Sequence, residues 1–195
     1  FSTELVPWDL AGQGLALLII DTRASHSLVG GEYGERRAQA EEAARLLGVE
    51  TLRHLPFDQA DRVHDIDDPT VRARARHVVS EIERVRRFAA LLESGSIRDN
   101  TLGLGLLMNA SHDSLRDDFE VTVPELDVAV DAARAAGAHG ARMTGGGFGG
   151  SAIALVEETD VEQVAQAVHD AFRSNSFTEP AFFIATPSAG AGRDL

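Results

Sequence analysis

Ala138-His-Gly-Ala-Arg142-Met-Thr144-Gly145-Gly146-Gly147-Phe148-Gly149-Gly150-Ser151-Ala-Ile-Ala-Leu-Val-Glu157 is the stretch that decides how the rest of the chain is read. Five of the six residues from Gly145 to Gly150 are glycine. Glycine is entropically costly, so such a cluster points to positive φ or to backbone that must approach another group closely. Exposed backbone N–H groups in a loop of this kind form a concavity suited to phosphate. The alternative is a plain hairpin tip, and the residues alone leave both open. Gly145-x-Gly147-x-x-Gly150 formally spells the dinucleotide fingerprint, which requires a helix immediately afterwards. Ser151 to Val156 instead reads as an aliphatic strand, and no Gly-Lys-Ser/Thr follows for a Walker loop. The unit is strand, glycine loop, strand.

Composition narrows the function classes. A chain of 195 residues buries about 70% of its unfolded surface, enough for a substantial core. Cysteine is absent, which excludes disulfides, thiolate catalysis and Cys-type zinc sites, and is compatible with the cytosol. All 18 basic residues are arginine, so no lysine can hold a phosphate or form a Schiff base. A net charge of −13 argues against a nucleic-acid partner. The longest apolar run, Leu15 to Ile20, is strand-sized, which gives no membrane span. Phe1 is not an initiator methionine, and the expectation is a piece of a longer protein.

Taken in order, Phe1 to Leu5 and Gly14 to Thr22 read as strands, the second buried on both faces. A helix follows the Gly30-Gly31 break, from Glu32 to Leu47, with Ala40, Ala43, Ala44 and Leu47 inward and Gly48 as its stop. Leu52 to Asp68 reads as a short, polar, acidic stretch with a helical turn and loops. Asp68-Pro69 then starts a long helix over Val71 to Leu92. Its apolar stripe is Ala75, Val78, Val79, Ile82, Val85 and Ala89. Its arginines, 72, 74, 76, 84, 86 and 87, are expected on a solvated face paired with Glu81, Glu83 and Glu93, the alternative being an anion patch.

Ile97 to Asp117 reads as a further helix with Leu102, Leu106, Leu107, Ala110 and Leu115 inward, weakened by Gly103 and Gly105. Pro124 opens a helix that Gly137 stops, and Asp160 to Arg173 is amphipathic. Ala181 to Thr186 is a last strand, and Pro187 to Leu195 a frayed tail. Strands at both ends with helices between predict an α+β fold, an antiparallel or mixed sheet covered by helices.

Arg142-Met-Thr-Gly-Gly-Gly-Phe-Gly-Gly150 resembles the third signature motif of galactokinases, within the GHMP family of small-molecule kinases. His26 to Arg37, Arg76 to Glu81 and Ser111 to Asp127 resemble further stretches of the same family, in the same order. The resemblance implies a GHMP kinase C-terminal domain over residues 1–195, with 1–13 packing toward an N-terminal domain that is not in the sequence. It implies transfer of the γ-phosphoryl group of ATP, with Mg²⁺, to the anomeric hydroxyl of galactose in the cytoplasm. Sister kinases for N-acetylgalactosamine or arabinose, and a non-catalytic sugar sensor, carry similar motifs. The family's Gly-Glu-His sugar motif, its serine-rich ATP motif and its catalytic aspartate do not occur here. The expectation is therefore no catalytic residue and no metal ligand in this chain, and no activity from these residues alone.

Two sets of candidate site residues follow. Tyr33, the only tyrosine, matches the position whose phenol contacts galactose in the family. Thr144, Gly145, Gly146, Gly147, Phe148, Gly149 and Gly150 match the loop on the phosphate side of the cleft. Phe148 either plugs the hairpin or faces the substrate, and Met143 is expected to pack inward. Ser111, His112 and Asp113 have the residue types of a hydrolytic triad. Consecutive helical residues point about 100° apart, so His112 and Arg116 are read as packing or salt-bridge groups. His54, His64 and the aspartates from Asp58 to Asp68 lack metal-ligand spacing and read as an acidic surface loop.

Overall fold

A computed structural model describes residues 8–24 and 31–186. The expected strand at Phe1 to Leu5, the Gly30 half of the glycine pair and the tail from Pro187 lie outside the described residues. Among the described residues four strands form one sheet: β1 (Leu15–Asp21), β2 (Gly140–Thr144), β3 (Ser151–Glu157) and β4 (Ala181–Ile184). Their order is β2-β3-β1-β4, and every neighbouring pair is antiparallel. The α+β expectation holds, with the sheet purely antiparallel.

The helices are α1 (Glu32–Leu46), α2 (Pro69–Glu93), α3 (Thr101–Ser114), α4 (Pro124–Ala135) and α5 (Val161–Ser174). On one sheet face Ala16, Leu18 and Ile20 of β1 pack with Ala152, Ala154 and Val156 of β3. Leu126 and Val130 of α4 and Val164, Val168 and Phe172 of α5 close over them. The other face is covered by α3, through Leu104 and Met108 against Leu15 and Leu155. Leu10 joins this second cluster, so part of the stretch 1–13 belongs to the core of this domain.

A third cluster forms a lobe. Ala43 and Ala44 of α1, with Leu47 just after it, meet Val71, Ala75 and Val79 of α2 around Leu52, Leu55, Val63 and Ile66. The stretch expected as a helical turn and loops holds two 3-10 helices, Leu52–His54 and Phe57–Asp65, of which Leu52 and Val63 are core while Phe57 is exposed. Asp68 caps α2, its Oδ1 accepting from Thr70 N at 2.8 Å and Val71 N at 3.1 Å, with Pro69 in the first turn. Such a cap contributes about 1 kcal/mol.

Four expectations are corrected. The inward face of α3 is Leu104, Gly105, Met108, Ser111 and His112, whereas Leu102 (74% exposed), Leu106 (59%) and Ala110 face out. The reason is Gly105, where α3 lies backbone-to-backbone on Gly140 of β2, so the glycine side of the helix is its inner side. That helix is also shorter than expected; Leu115–Phe119 is a π-helical turn closed by Glu120 at φ +54°. In addition, Arg74 is buried: its guanidinium bonds Gln39 of α1, the Asp118 carbonyl and the Glu120 carboxylate. On α2, Val85 is exposed and Val78 and Ile82 are half-buried, leaving part of the expected stripe uncovered.

Candidate functional site

The β2–β3 loop is held in a single shape from both sides. Gly145, Gly147, Gly149 and Gly150 all adopt positive φ, and so does Phe148 at +59°. At Gly147 (φ +86°) a Cβ would overlap the Val121 carbonyl oxygen, so the loop lies directly on the chain that leaves the π turn. Phe148 N–H donates to the same Val121 oxygen at 2.7 Å. At the far end Thr22 donates to the Gly150 carbonyl through both N–H (3.1 Å) and Oγ1 (2.5 Å). The loop is a built structure and no slack hairpin tip. Thr144, Gly145 and Gly146 remain exposed, leaving a hydroxyl and backbone as its outward chemistry.

Tyr33 stands on the first turn of α1 and is 64% exposed. Arg36, one turn further on the same side of that helix, reaches the loop: its guanidinium lies 5.9 Å from the centre of the Phe148 ring. Phe148 is half-buried and packs against the edge of the main core cluster. Through Arg36 and Phe148 the first turns of α1, which carry Tyr33, are joined to the glycine loop. No hydrogen bond joins Tyr33 itself to the loop among the described residues.

Beside Thr144 a groove of about 360 Å³ opens on the part of the sheet that α3 leaves bare. Its walls include Trp8, Leu17, Phe88 and Ile153. Its polar end holds Glu81 and Arg84 of α2, Ser111 of α3, and Arg142 and Thr144 of β2. Glu81 accepts from Arg84 Nε (2.6 Å), Arg142 Nη1 (3.0 Å) and Ser111 Oγ (2.5 Å). Burial pushes the Glu81 carboxyl up, but those hydrogen bonds and the two arginine charges outweigh it and hold it below the usual carboxylate range. The Arg84–Glu81 pair was expected from the sequence, but on a solvated face and not in a groove. Their signal was available only as a carboxylate and an arginine on the same helix face, one turn apart.

The three consecutive triad-type residues part company as expected. Ser111 donates to Glu81, and Asp113 pairs with Arg134 at 2.9 Å. His112 is fully buried, and its Nδ1 accepts from Met143 N–H at 3.1 Å. Its proton therefore sits on Nε2, 3.2 Å from Asp127 Oδ1 at an angle too poor for a directed hydrogen bond. His112 is a support for β2 one residue before Thr144, and Met143 packs inward behind it. Arg116 pairs with Asp117 at 2.8 Å. His77, on α2, is buried with its Nδ1 3.0 Å from Ser114 Oγ and its ring stacked on Phe119. Burial pushes its pKa down from 6.5 to about 4, and the cations Arg84 and Arg142 oppose the helping charges of Glu81 and Asp118.

Among the described residues no group of three or more His, Asp or Glu side chains is arranged to hold a metal ion. Among the described residues no helix is long and apolar enough to cross a membrane. The groups available toward an anionic ligand are the Thr144 hydroxyl, the exposed Gly145–Gly146 backbone and the partly neutralised Arg84 and Arg142.

Comparison with known proteins adds relatives. Residues 89–174 match the family described as GHMP kinases C terminal. The chain is 52% identical over 194 residues to a galactokinase of Streptomyces coelicolor, covering 98% of this chain and 49% of that protein. It is 48% identical over 196 residues to a galactokinase of Streptomyces lividans, covering 100% of this chain and 48% of that one. A crystal structure of Lactococcus lactis galactokinase complexed with galactose superposes with a TM-score of 0.88 at 36% identity, over 96% of this chain and 48% of its own. The chain spans about half the length of the relatives it matches. The chain is thus similar over its length to the C-terminal half of galactokinases, and over residues 89–174 it matches the C-terminal domain of GHMP kinases.

Proposed function

We propose that this chain is the C-terminal part of a sugar kinase that transfers the γ-phosphoryl group of ATP, with Mg²⁺, to the anomeric hydroxyl of galactose. The observation that carries it is the joining of the Tyr33 turn to the built glycine loop through Arg36 and Phe148. That junction belongs to a domain that superposes on a galactokinase solved with galactose. The Tyr33 phenol, exposed and rigidly mounted, hydrogen-bonds a sugar hydroxyl while its ring lies on the apolar face of the sugar. Thr144 and the Gly145–Gly146 backbone line the phosphate side. Phosphoryl transfer depends mainly on positioning and charge neutralisation, and these are the contributions the chain can make. Mg²⁺, when bound, neutralises phosphate charge, and its ligands come from the half of the protein outside this sequence.

The groove with Trp8, Leu17, Phe88 and Ile153 on its walls faces that other half, which completes the cleft. Such a protein works in the cytoplasm, where sugar and ATP meet. The 195 residues alone are expected to release no ADP. The test is ADP release by the full-length parent with galactose, N-acetylgalactosamine and arabinose in parallel. Galactose-dependent release, with Tyr33→Phe raising the galactose KM about tenfold for one lost hydrogen bond, is the expected result. Release with another sugar alone would move the substrate, and binding of galactose without release would make the protein a sensor. Robust turnover by the 195-residue chain would overturn the division of roles.

A further inference from the structure

Arg36 is the residue at which three separate parts of the chain converge. Its side chain is only 13% exposed although it belongs to the first turns of a surface helix. Nε donates to the Phe119 carbonyl at 2.7 Å, and Nη2 to the Glu120 carbonyl at 3.1 Å. These are carbonyls at the end of the π turn, where a helical segment runs out of N–H partners and its dipole favours a cation. The guanidinium plane also lies near the Phe148 ring, with the Glu35 carboxylate at 3.6 Å and the Glu120 carboxylate at 3.9 Å. One helical turn before it stands Tyr33. The next residue after Glu120, Val121, supplies the oxygen that holds the Phe148 amide.

Arg36 therefore grips the same short segment that grips the loop tip, and touches the tip as well. We propose that Arg36 is a positioning residue, which locks the turn carrying Tyr33 to the end of the glycine loop so that the two move as one body. In the kinase reading, on which this role rests for its purpose, the lock sets the distance between the sugar-facing phenol and the phosphate-side backbone. Lysine is no substitute, because a point charge cannot hold two carbonyls in a planar fork while lying along a ring.

Tyr33 is the only tyrosine of the chain, so 3-fluorotyrosine gives a single ¹⁹F signal at the site. The measurement is made on the 195-residue chain as wild type, Phe148→Leu, Arg36→Lys and the double variant, each checked for a cooperative thermal melt. With Arg36 in place, Phe148→Leu is expected to shift the Tyr33 signal. With Arg36→Lys, or Arg36→Gln should the lysine variant not fold, Phe148→Leu is expected to add no further shift. A Tyr33 signal that ignores Phe148→Leu, or that moves equally in both backgrounds, overturns the lock.

A second arm uses the full-length parent. Arg36→Lys is expected to lower kcat about tenfold and raise the sugar KM, leaving the ATP KM unchanged, since small misplacements of reacting groups have costs of this order or larger. A purely structural role would reduce the folded fraction and leave KM untouched, and that result would also overturn the proposal. If the wild-type parent releases no ADP with any sugar, the kinase reading fails, and the ¹⁹F comparison still decides the lock.

Discussion

Alanine at Gly105 is expected to cost at least about 3 kcal/mol of folding stability, the upper end of what an overpacked contact produces. At this position α3 rests on β2 through backbone: a Cβ would overlap the carbonyl of His139. The opposing residue, Gly140, would overlap the Gly105 backbone in the same way. Neither partner is a side chain that can swing aside, so relief requires α3 to lift from the sheet. That movement would separate Leu104 and Met108 from Leu155 and disturb Ser111 and His112 further along the helix. Gly103 provides the control two residues away, where a Cβ would meet only the end of the flexible Leu91 side chain. Gly103→Ala gains helix propensity of about 1 kcal/mol and is expected to be neutral or stabilising. Urea unfolding followed by circular dichroism distinguishes the two, and a Gly105→Ala protein as stable as wild type would refute the contact.

The second large effect is acid loss of stability through His77. Its pKa is about 4 when folded, against 6.5 for an unburied imidazole. Between those values the unfolded chain binds a proton that the folded chain refuses. Stability is therefore full above about pH 6.5 and falls as the pH drops through this window. The slope is about 1.4 kcal/mol per pH unit, or about 3 kcal/mol across the window. The loss is the opposite of what a histidine held by a carboxylate partner would show, because burial between Ser114 and the Phe119 ring dominates over Glu81 and Asp118. Denaturant titrations between pH 7 and pH 5 should show the slope in wild type and a flatter one in His77→Gln. Equal slopes would mean that His77 is protonated in the fold.

Much of this architecture was legible before any coordinates. The continuous apolar run at Leu15 sits at the inside of the sheet because both its faces must be covered. The Asp68-Pro69 start and the glycines at 48 and 137 were readable because capping and positive φ are local chemistry. The glycine loop was recognisable as a strand–loop–strand unit for the same reason. The inner face of α3 was not, since hydrophobic periodicity assumes side chains do the packing, and here a glycine does. Arg74 and Arg36 were equally hidden. A buried arginine looks like a surface arginine until the carbonyls it serves, at Asp118, Phe119 and Glu120, are brought to it by the turn of the chain. The lone tyrosine and the loop could each be singled out, but their junction through Arg36 and Phe148 depends on tertiary contact.

The strand order has a consequence for how a ribosome must deliver this domain. β1 is made early, yet its two partners, β3 and β4, are among the last segments to appear. Throughout that interval an apolar strand from Leu15 to Ile20 has both edges unsatisfied. The α1–α2 lobe draws its core from residues between Ala43 and Val79, all of which precede α3, β2 and β3 in the chain, so this core can condense while synthesis continues. Nascent chains halted before β3 would thus carry a folded lobe and a bare, adhesive strand, which makes premature termination in this gene a source of aggregates.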